Sequence, residues 1–447
     1  MIEIVKRAGL TAADVPSGGL EMKAITQIKE ELKNHVYDAV MERLYVAPEM
    51  IAIQGPRYEK VLNDFEALYG AQVVEIYSAP GRTEVGGNHT DHQLGEVLAA
   101  SVNLDTIAVV APRQDMKVRL KSEGYPALEL DLSDLNVQEN EKETTMALIR
   151  GMAAGFAKRG LKVGGFDASV TSQVLSGSGL SSSAAFEVLI GNILSGLYNN
   201  EAVSQIEIAK MGQEAENVFF GKPCGLMDQM ASAVGGLVNI DFGDPRNPVV
   251  NPLDVAFSNF GHALCIVDTK GSHADLTQDY ADVPAEMKKV ACFFGQDVLK
   301  HVDEESFMNK FAEVRLACGD RAVLRAMHWY NENRRVRAQV AALTAGDFDE
   351  FKKQIAASGN SSYKYLQNVY SSHKPQEQSV SVALMISEQL LGESGVARVH
   401  GGGFAGTIQA FVPVEMTASY KEGMEKVFGE GACHVLRIRP VGGTKVL

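Results

Sequence analysis

The sequence predicts an α+β protein of two lobes, and three observations carry that reading. Strand-like and helix-like segments come in blocks, without the regular alternation of a doubly wound sheet. The chain has 447 residues, more than one ordinary core organises, so two domains are expected. A polar stretch holding three prolines, DPRNPVVNPLD, sets a boundary between residues 244 and 258.

Taken in order, residues from about 20 to 70 carry helical periodicity in EMKAITQIKEELKNHVYDAVMERL and YEKVLNDFEALYG, separated by a Pro/Gly break at QGPR. From Val73 the pattern changes to short β-rich runs: VVEIYSAP, DTIAVVAP, ALELDL and FDASVTSQVL. Helical segments follow at TTMALIRGMAAGFAKRG, AAFEVLIGNILSGLYN and SQIEIAKMGQEAENVFFG. A strand at HALCIVDT opens a second half rich in helices from 283 to 370, closed by TIQAFVPV, a helix through ASYKEGMEKVFG and the strand CHVLRIRP. The expected division is an N-terminal helical extension over 1–70, a first lobe over 71–250 and a second over 251–447.

Composition narrows the function. With 45% hydrophobic and 22% charged residues the chain reads as an ordinary soluble protein. A net charge of −14 argues against a broad nucleic-acid or anionic-membrane surface, but not against a small anion held in a local nest of N–H groups. No signal peptide is evident, and the apolar run LAASVNLDTIAVVAP is too short for a bilayer and interrupted by Asn103 and Asp105. Five scattered cysteines without a Cys-x-x-Cys pair read as buried thiols of a cytoplasmic protein. No pattern specifies an oligomeric state.

Four stretches carry chemistry. GGNHTDH, residues 86 to 92, sets His89 and His92 three apart beside Asp91, but no third ligand stands at recognisable zinc spacing. LSGSGLSSSAAFEVLIGNILSGLY is a run of small residues entering a strongly apolar helix. Its bland reading is a capped helix after a flexible turn. The glycines, serines and free N–H groups at the helix start also make an anion cradle. AENVFFGKPCGLMDQMASAVGG places Glu216 and Asp228 in apolar company, where a carboxylate is costly unless paired or used. RVHGGGFAGTIQAFVP has three consecutive glycines, Gly401 to Gly403, which imply a tight turn or a close backbone approach.

GRTEVGGNHTDH, SGSGLSSSAA, CGLMDQ and HGGGFAG together, and in this order, resemble the signatures of the galactokinases within the GHMP small-molecule kinases. The first family pattern is Gly-Arg-Val-Asn-Leu-Ile-Gly-Glu-His-Thr-Asp-Tyr. The resemblance spans residues 75 to 447 and implies a two-lobed GHMP kinase fold with the active site between the lobes. It implies use of ATP and Mg²⁺ to phosphorylate the anomeric C1 hydroxyl of galactose.

Residue by residue, the resemblance implies that the loop Gly177, Ser178, Gly179, Leu180, Ser181, Ser182 and Ser183 wraps the ATP phosphates. Ser182 and Glu216 would hold the metal, Asp228 would be the group facing the C1 hydroxyl, and Arg82 would orient it. Asn88, His89, Asp91, Gly225 and Tyr280 would bind the sugar. The chain departs from the family at Asn88 (Glu), His92 (Tyr), Leu175 (Pro) and Ala405 (Gly). Asn88 bears no charge near the sugar's C6 group. That leaves open a kinase for a C6-altered or N-acetylated galactose-type sugar, such as galacturonate or N-acetylgalactosamine. A non-catalytic sugar sensor is the third reading, and the intact serine loop weighs against it. Trp329 reads as helix packing before adenine stacking, and Arg334, Arg335 and Arg337 as a solvated helix face.

Overall fold

A computed structural model describes residues 22–174, 179–222, 224–244, 247–271, 276–404 and 406–447. A two-residue strand β1 (Lys23–Ala24) precedes helices α1 (Ile25–Lys33), α2 (Asp38–Tyr45), α3 (Pro48–Ile51) and α4 (Gln54–Tyr69). QGPR is not a break between helices, as its composition suggests, but the first turn of α4. A proline there has no intrahelical donor to lose, so the helix starts through it.

The strands that follow are β2 (Val73–Gly86), β3 (Glu96–Pro112), β4 (Lys117–Ser122), β5 (Leu128–Asp131), β6 (Phe166–Ser172), β7 (Leu237–Asp241) and β8 (Val249–Leu253). They form one sheet in the order β1-β2-β3-β6-β4-β5, with β7 branching from β3 and β8 from β7. The helices among them are α5 (Thr145–Lys158), α6 (Ser182–Asn199), α7 (Gln205–Glu214) and α8 (Met227–Val234). Both faces of this sheet are covered, which explains the near-continuous apolar run of β3. Ile107 and Val109 face α1 to α4 together with Tyr45, Tyr58 and Phe65. Ala108 and Val110, pointing the other way by strand alternation, pack beneath α5 to α8.

The second lobe holds a four-stranded antiparallel sheet of β9 (His262–Asp268), β10 (Val396–His400), β11 (Thr407–Pro413) and β12 (Cys433–Leu436), in the order β10-β11-β9-β12. Its helices are α9 (Thr277–Phe293), α10 (Glu304–Asn309), α11 (Phe311–Cys318), α12 (Asp320–Ala345), α13 (Phe348–Ser361), α14 (Ser379–Leu391) and α15 (Thr417–Phe428). The chain then returns. Strand β13 (Thr444–Lys445) pairs with β2, setting Thr444 opposite Ser78 in the first sheet. All five cysteines are free, and no helix among the described residues is long and apolar enough to cross a membrane.

The polar breaks noted within β3 have a structural reason. Asp105 is fully buried and sits at a junction of extension, sheet and returning chain. Arg57 Nη1 donates to its Oδ1 at 2.6 Å. Tyr45 Oη, Ser78 Oγ and Arg439 Nη1 donate to Oδ2 at 2.9, 2.5 and 3.2 Å. Burial by itself would raise the Asp105 carboxyl, but Arg57 and then Arg439 hold it below its ordinary value. Asn103 belongs to the same junction, its Nδ2 donating to the Tyr45 carbonyl at 3.1 Å.

Removing one member of a buried charge cluster strands the others, at a cost of about 3–5 kcal/mol. Asp105→Ala is therefore expected to lower the urea midpoint of unfolding clearly at pH 7. Because the folded-state carboxyl titrates below the unfolded one, the wild-type advantage is present above the unfolded pKa and fades as pH falls through the folded one. An unchanged midpoint at pH 7 would show the cluster to be dispensable.

Candidate active site

Strand β2 is irregular in two places against β3, between Pro80 and Arg82 and between Glu84 and Gly86. Such bulges re-aim side chains. Arg82 donates through Nε and Nη2 to Oδ1 and Oδ2 of Asp228, at 2.7 and 2.8 Å. This is a two-point bond of the strong kind. Asp228 stands in the first turn of α8. Arg82 also donates from Nη1 to the Gly179 carbonyl, and from its backbone N–H to the Leu180 carbonyl at 3.0 Å. Ser181 Oγ donates to Asp228 Oδ2. The surrounding protein would raise the Asp228 carboxyl, but Arg82 and Ser181 outweigh it and hold the group below its ordinary value. Arg82 is nearly buried, while 32% of the Asp228 side chain stays exposed. An ionised carboxylate is thus fixed from behind and open in front.

The serine loop arrives at the same point. Gly177 and Ser178 lie outside the described residues, as do Leu175 and Ala405. Gly179 has φ +74, and a β-carbon there would lie 3.0 Å from Thr407 Oγ1 and 3.1 Å from His400 Nδ1, so its backbone is pressed against the second sheet. Leu180 is buried. Ser181 precedes α6 in left-handed backbone, φ +55, its side chain caps nothing, and its hydroxyl donates to Asp228. His400 ties the lobes together, facing Thr83 Oγ1 through Nε2 and Thr407 Oγ1 through Nδ1, both at 3.0 Å.

Glu216 is nearly buried in a π-helical turn, Ala215–Phe220. Gln229 Nε2 donates to its Oε2 at 3.0 Å, and Lys222 Nζ reaches its Oε1 at 3.4 Å. The serine hydroxyl set against Glu216 Oε1, at 3.4 Å, is that of Ser183. The sequence pattern pointed one residue earlier, to Ser182, which opens α6. Glu187 was missed, although an acid inside the apolar run AAFEVLIGN was a readable signal. It is fully buried on α6, and its Oε2 accepts from Gln229 Nε2 at 2.9 Å. Burial, and Glu216 beside it, push the Glu187 carboxyl well up. A carboxylate and a hydroxyl suit a hard cation that keeps water and phosphate oxygens as its other ligands. Among the described residues no group of three or more His, Cys, Asp or Glu side chains is placed to hold a metal.

The stretch GGNHTDH forms the turn between β2 and β3. His89 and Leu94 adopt left-handed backbone, φ +58 and +57. Asp91 faces Gly225, where a β-carbon would lie 2.6 Å from Asp91 Oδ2. His89 Nε2 donates to the Gly402 carbonyl at 3.2 Å, and burial together with the His92 ring pushes its pKa down to about 4. Tyr280 closes over the glycine run. A β-carbon at Gly402 would lie 2.6 Å from its ring, and its hydroxyl donates to the Gly403 carbonyl at 3.1 Å.

Asn88 is the correction. It is fully buried and turned inward. Its Nδ2 donates to Glu84 Oε1 at 3.1 Å and to the Gly401 carbonyl at 2.7 Å, while its Oδ1 accepts from Asn368 Nδ2 at 2.9 Å. Glu84 is itself paired with the buried Arg398. A second acid at position 88 would face that carboxylate and a carbonyl with no donor to offer. The first-motif pattern that this stretch resembles has Asn where Glu84 stands and Glu where Asn88 stands, so the two residues have exchanged places.

Trp329 is no stacking surface, for it is buried with its Nε1 donating to the Thr90 carbonyl at 3.1 Å. The arginine cluster on α12 is not wholly solvated either. Arg335 is mostly buried against Glu332, and Arg337 reaches Glu96 of β3.

The model of the GHMP kinases N terminal domain matches residues 147–236, and the galactokinase galactose-binding signature matches residues 63–112. A galactokinase of Glaesserella parasuis serovar 5 is 30% identical over 374 residues, 82% of this chain and 92% of that protein. One of Lactobacillus helveticus is 29% identical over 377 residues, 83% of this chain and 94% of that protein. The crystal structure of Lactococcus lactis galactokinase complexed with galactose superimposes with a TM-score of 0.73 at 25% identity, covering 87% of this chain and 100% of that one. Mevalonate kinase of Methanococcus jannaschii, at 16% identity and a TM-score of 0.56 over 82% of this chain and 98% of that one, shares the fold.

Arg82→Leu removes the charge that depresses Asp228 and leaves the burial that raises it. The Asp228 carboxyl, followed by ¹³C NMR during an acid titration, is then expected to titrate above the wild-type value. Identical titration curves would separate the two groups energetically.

Proposed function

The chain belongs to the galactokinase family, and on that footing we propose that it transfers the γ-phosphoryl group of ATP to the C1 hydroxyl of galactose, giving galactose 1-phosphate and ADP. The observation that carries the reading is the Arg82–Asp228–Ser181 constellation, in which a fixed and partly exposed carboxylate stands beside the loop that enters α6.

Phosphoryl transfer asks chiefly for positioning and charge neutralisation. Asp228 accepts a hydrogen bond from the C1 hydroxyl and aims its lone pair at the phosphorus. Held below its usual pKa, it is a weak base, so it orients first and takes the proton only as the attacking oxygen loses electron density. Arg82 fixes the carboxylate and offsets charge building on the reacting oxygens. The backbone N–H groups at the start of α6, with Gly179 to Ser183, face the phosphates at the positive end of the helix. Glu216 and the Ser183 hydroxyl would hold Mg²⁺, which supplies charge neutralisation across the phosphate oxygens. On the sugar side, Asp91, His89, the Gly225 backbone and Tyr280 stand around the place of the hydroxyls. Asn88 stands behind that wall. The serine loop and Asp228 support a catalyst over a silent sensor.

Coupled assay of ADP release is the test. Galactose is expected to exceed galacturonate and N-acetylgalactosamine in kcat/KM, and a higher value for either would overturn the substrate. Asp228→Asn should lower kcat by roughly 10³-fold, on the scale of losing a positioned catalytic group, with galactose binding retained by calorimetry. Gly225→Ala pushes a methyl group into Asp91. It should raise KM for galactose about tenfold, the equivalent of one lost hydrogen bond of about 1.4 kcal/mol, while KM for ATP stays put.

A further inference from the structure

Helix α12 presents His328, Trp329, Glu332 and Asn333 on one face, as their spacing dictates. Three of them hold backbone groups of the turn between β2 and β3, and Asn333 holds the first residue of β3. Glu332 Oε1 accepts from the Gly87 N–H at 3.3 Å, and Asn333 Oδ1 from the Glu96 N–H at 2.6 Å. His328 Nε2 donates to the Asn88 carbonyl at 3.0 Å, and Trp329 Nε1 to the Thr90 carbonyl at 3.1 Å. A carbonyl can only accept, so His328 carries its proton on Nε2 and takes the Ser361 hydroxyl at Nδ1, 2.9 Å away.

The peptide leaving His89 is held by the Thr90 N–H, which donates to the Gly87 carbonyl at 3.1 Å, and the Asn88 carbonyl taken by His328 lies in the peptide that enters His89. That residue has φ +58, a backbone state that a side chain with a β-carbon enters only when its surroundings impose it. Held on both sides by these contacts, the His89 backbone is confined to that state, while Trp329 fixes the next peptide, which enters Asp91.

We propose that His328 and Trp329 are positioning residues for sugar recognition, which fix the peptides that enter His89 and Asp91 and thereby set both side chains toward the sugar. The proposal rests on the reading of this turn as the galactose-binding wall. It makes sugar affinity a property of a helix in the second lobe whose side chains lie behind the turn.

Trp329 is the single tryptophan of the sequence, so its indole N–H gives one resonance in a ¹⁵N–¹H spectrum. In the full-length wild-type protein this resonance is expected to shift on saturation with galactose and to stay in place with ADP alone. Trp329→Phe keeps an aromatic ring and removes the donor. It is expected to raise KM for galactose five- to twentyfold while kcat and KM for ATP change less than twofold. His328→Leu should act alike, and His328→Gln, which restores an amide donor, should recover most of that loss. The proposal is overturned if Trp329→Phe and His328→Leu keep the wild-type KM for galactose. It is also overturned if the indole resonance is unmoved while the wild type turns over galactose. If Trp329→Phe does not fold, the wild-type resonance and the two His328 variants decide. A wild type that releases no ADP with galactose would instead sink the galactokinase reading, and this proposal with it.

Discussion

A guanidinium and a carboxylate meet at two points, 2.7 and 2.8 Å apart, where Arg82 grips Asp228. Three segments remote in sequence depend on that contact. The bulged strand β2 supplies the arginine, the start of α8 supplies the acid, and the serine loop closes on both through Ser181 Oγ and the Gly179 carbonyl. Buried ion pairs owe their value to geometry and to the neighbours that satisfy the remaining donors and acceptors. Here those neighbours are Gly179 and Ser181, so the pair also fixes the approach to α6.

A second constraint acts across the lobes. The turn between β2 and β3 belongs to the first sheet by connectivity, yet its polar groups are met by the second lobe. His89 and Asn88 reach the carbonyls of the glycine run, Asn368 reaches Asn88, and α12 takes the backbone. Glycines at 401 to 403 are what let these surfaces close, since a β-carbon at Gly402 would meet the Tyr280 ring and one at Gly403 the Asn368 carbonyl 2.0 Å away. With the acid at position 84 and the amide at 88, the two side chains hydrogen-bond and the acid pairs with Arg398.

Much of this could be read from the chain, and the failures are instructive. Apolar patterning placed the helices of the extension and the second half of the long buried strand, because periodicity is a local property. Asp228 and Glu216 stood out as acids in apolar company, whereas Arg82 was marked only by the resemblance of its motif. The inward turn of Asn88 was not legible, since it is dictated by Gly401 and Asn368, 313 and 280 residues away. Trp329 was legible as a packing residue, but its partner Thr90, 239 residues upstream, was not. The choice between Ser182 and Ser183 turns on one helical step of about 100°, set by the left-handed residue before α6. Motif spelling fixes no such phase.

The return of the chain to its starting sheet has a consequence for how the molecule comes into being. Lys445 pairs with Glu75 at a separation of 370 residues, and Arg439 completes the charge cluster around Asp105 from a similar distance. During synthesis Asp105 would therefore have Arg57 as its one cationic partner, beside the Tyr45 and Ser78 hydroxyls, until nearly the whole of the second lobe had emerged. The first sheet thus gains its last strand and its second buried cation only after the second lobe has been made.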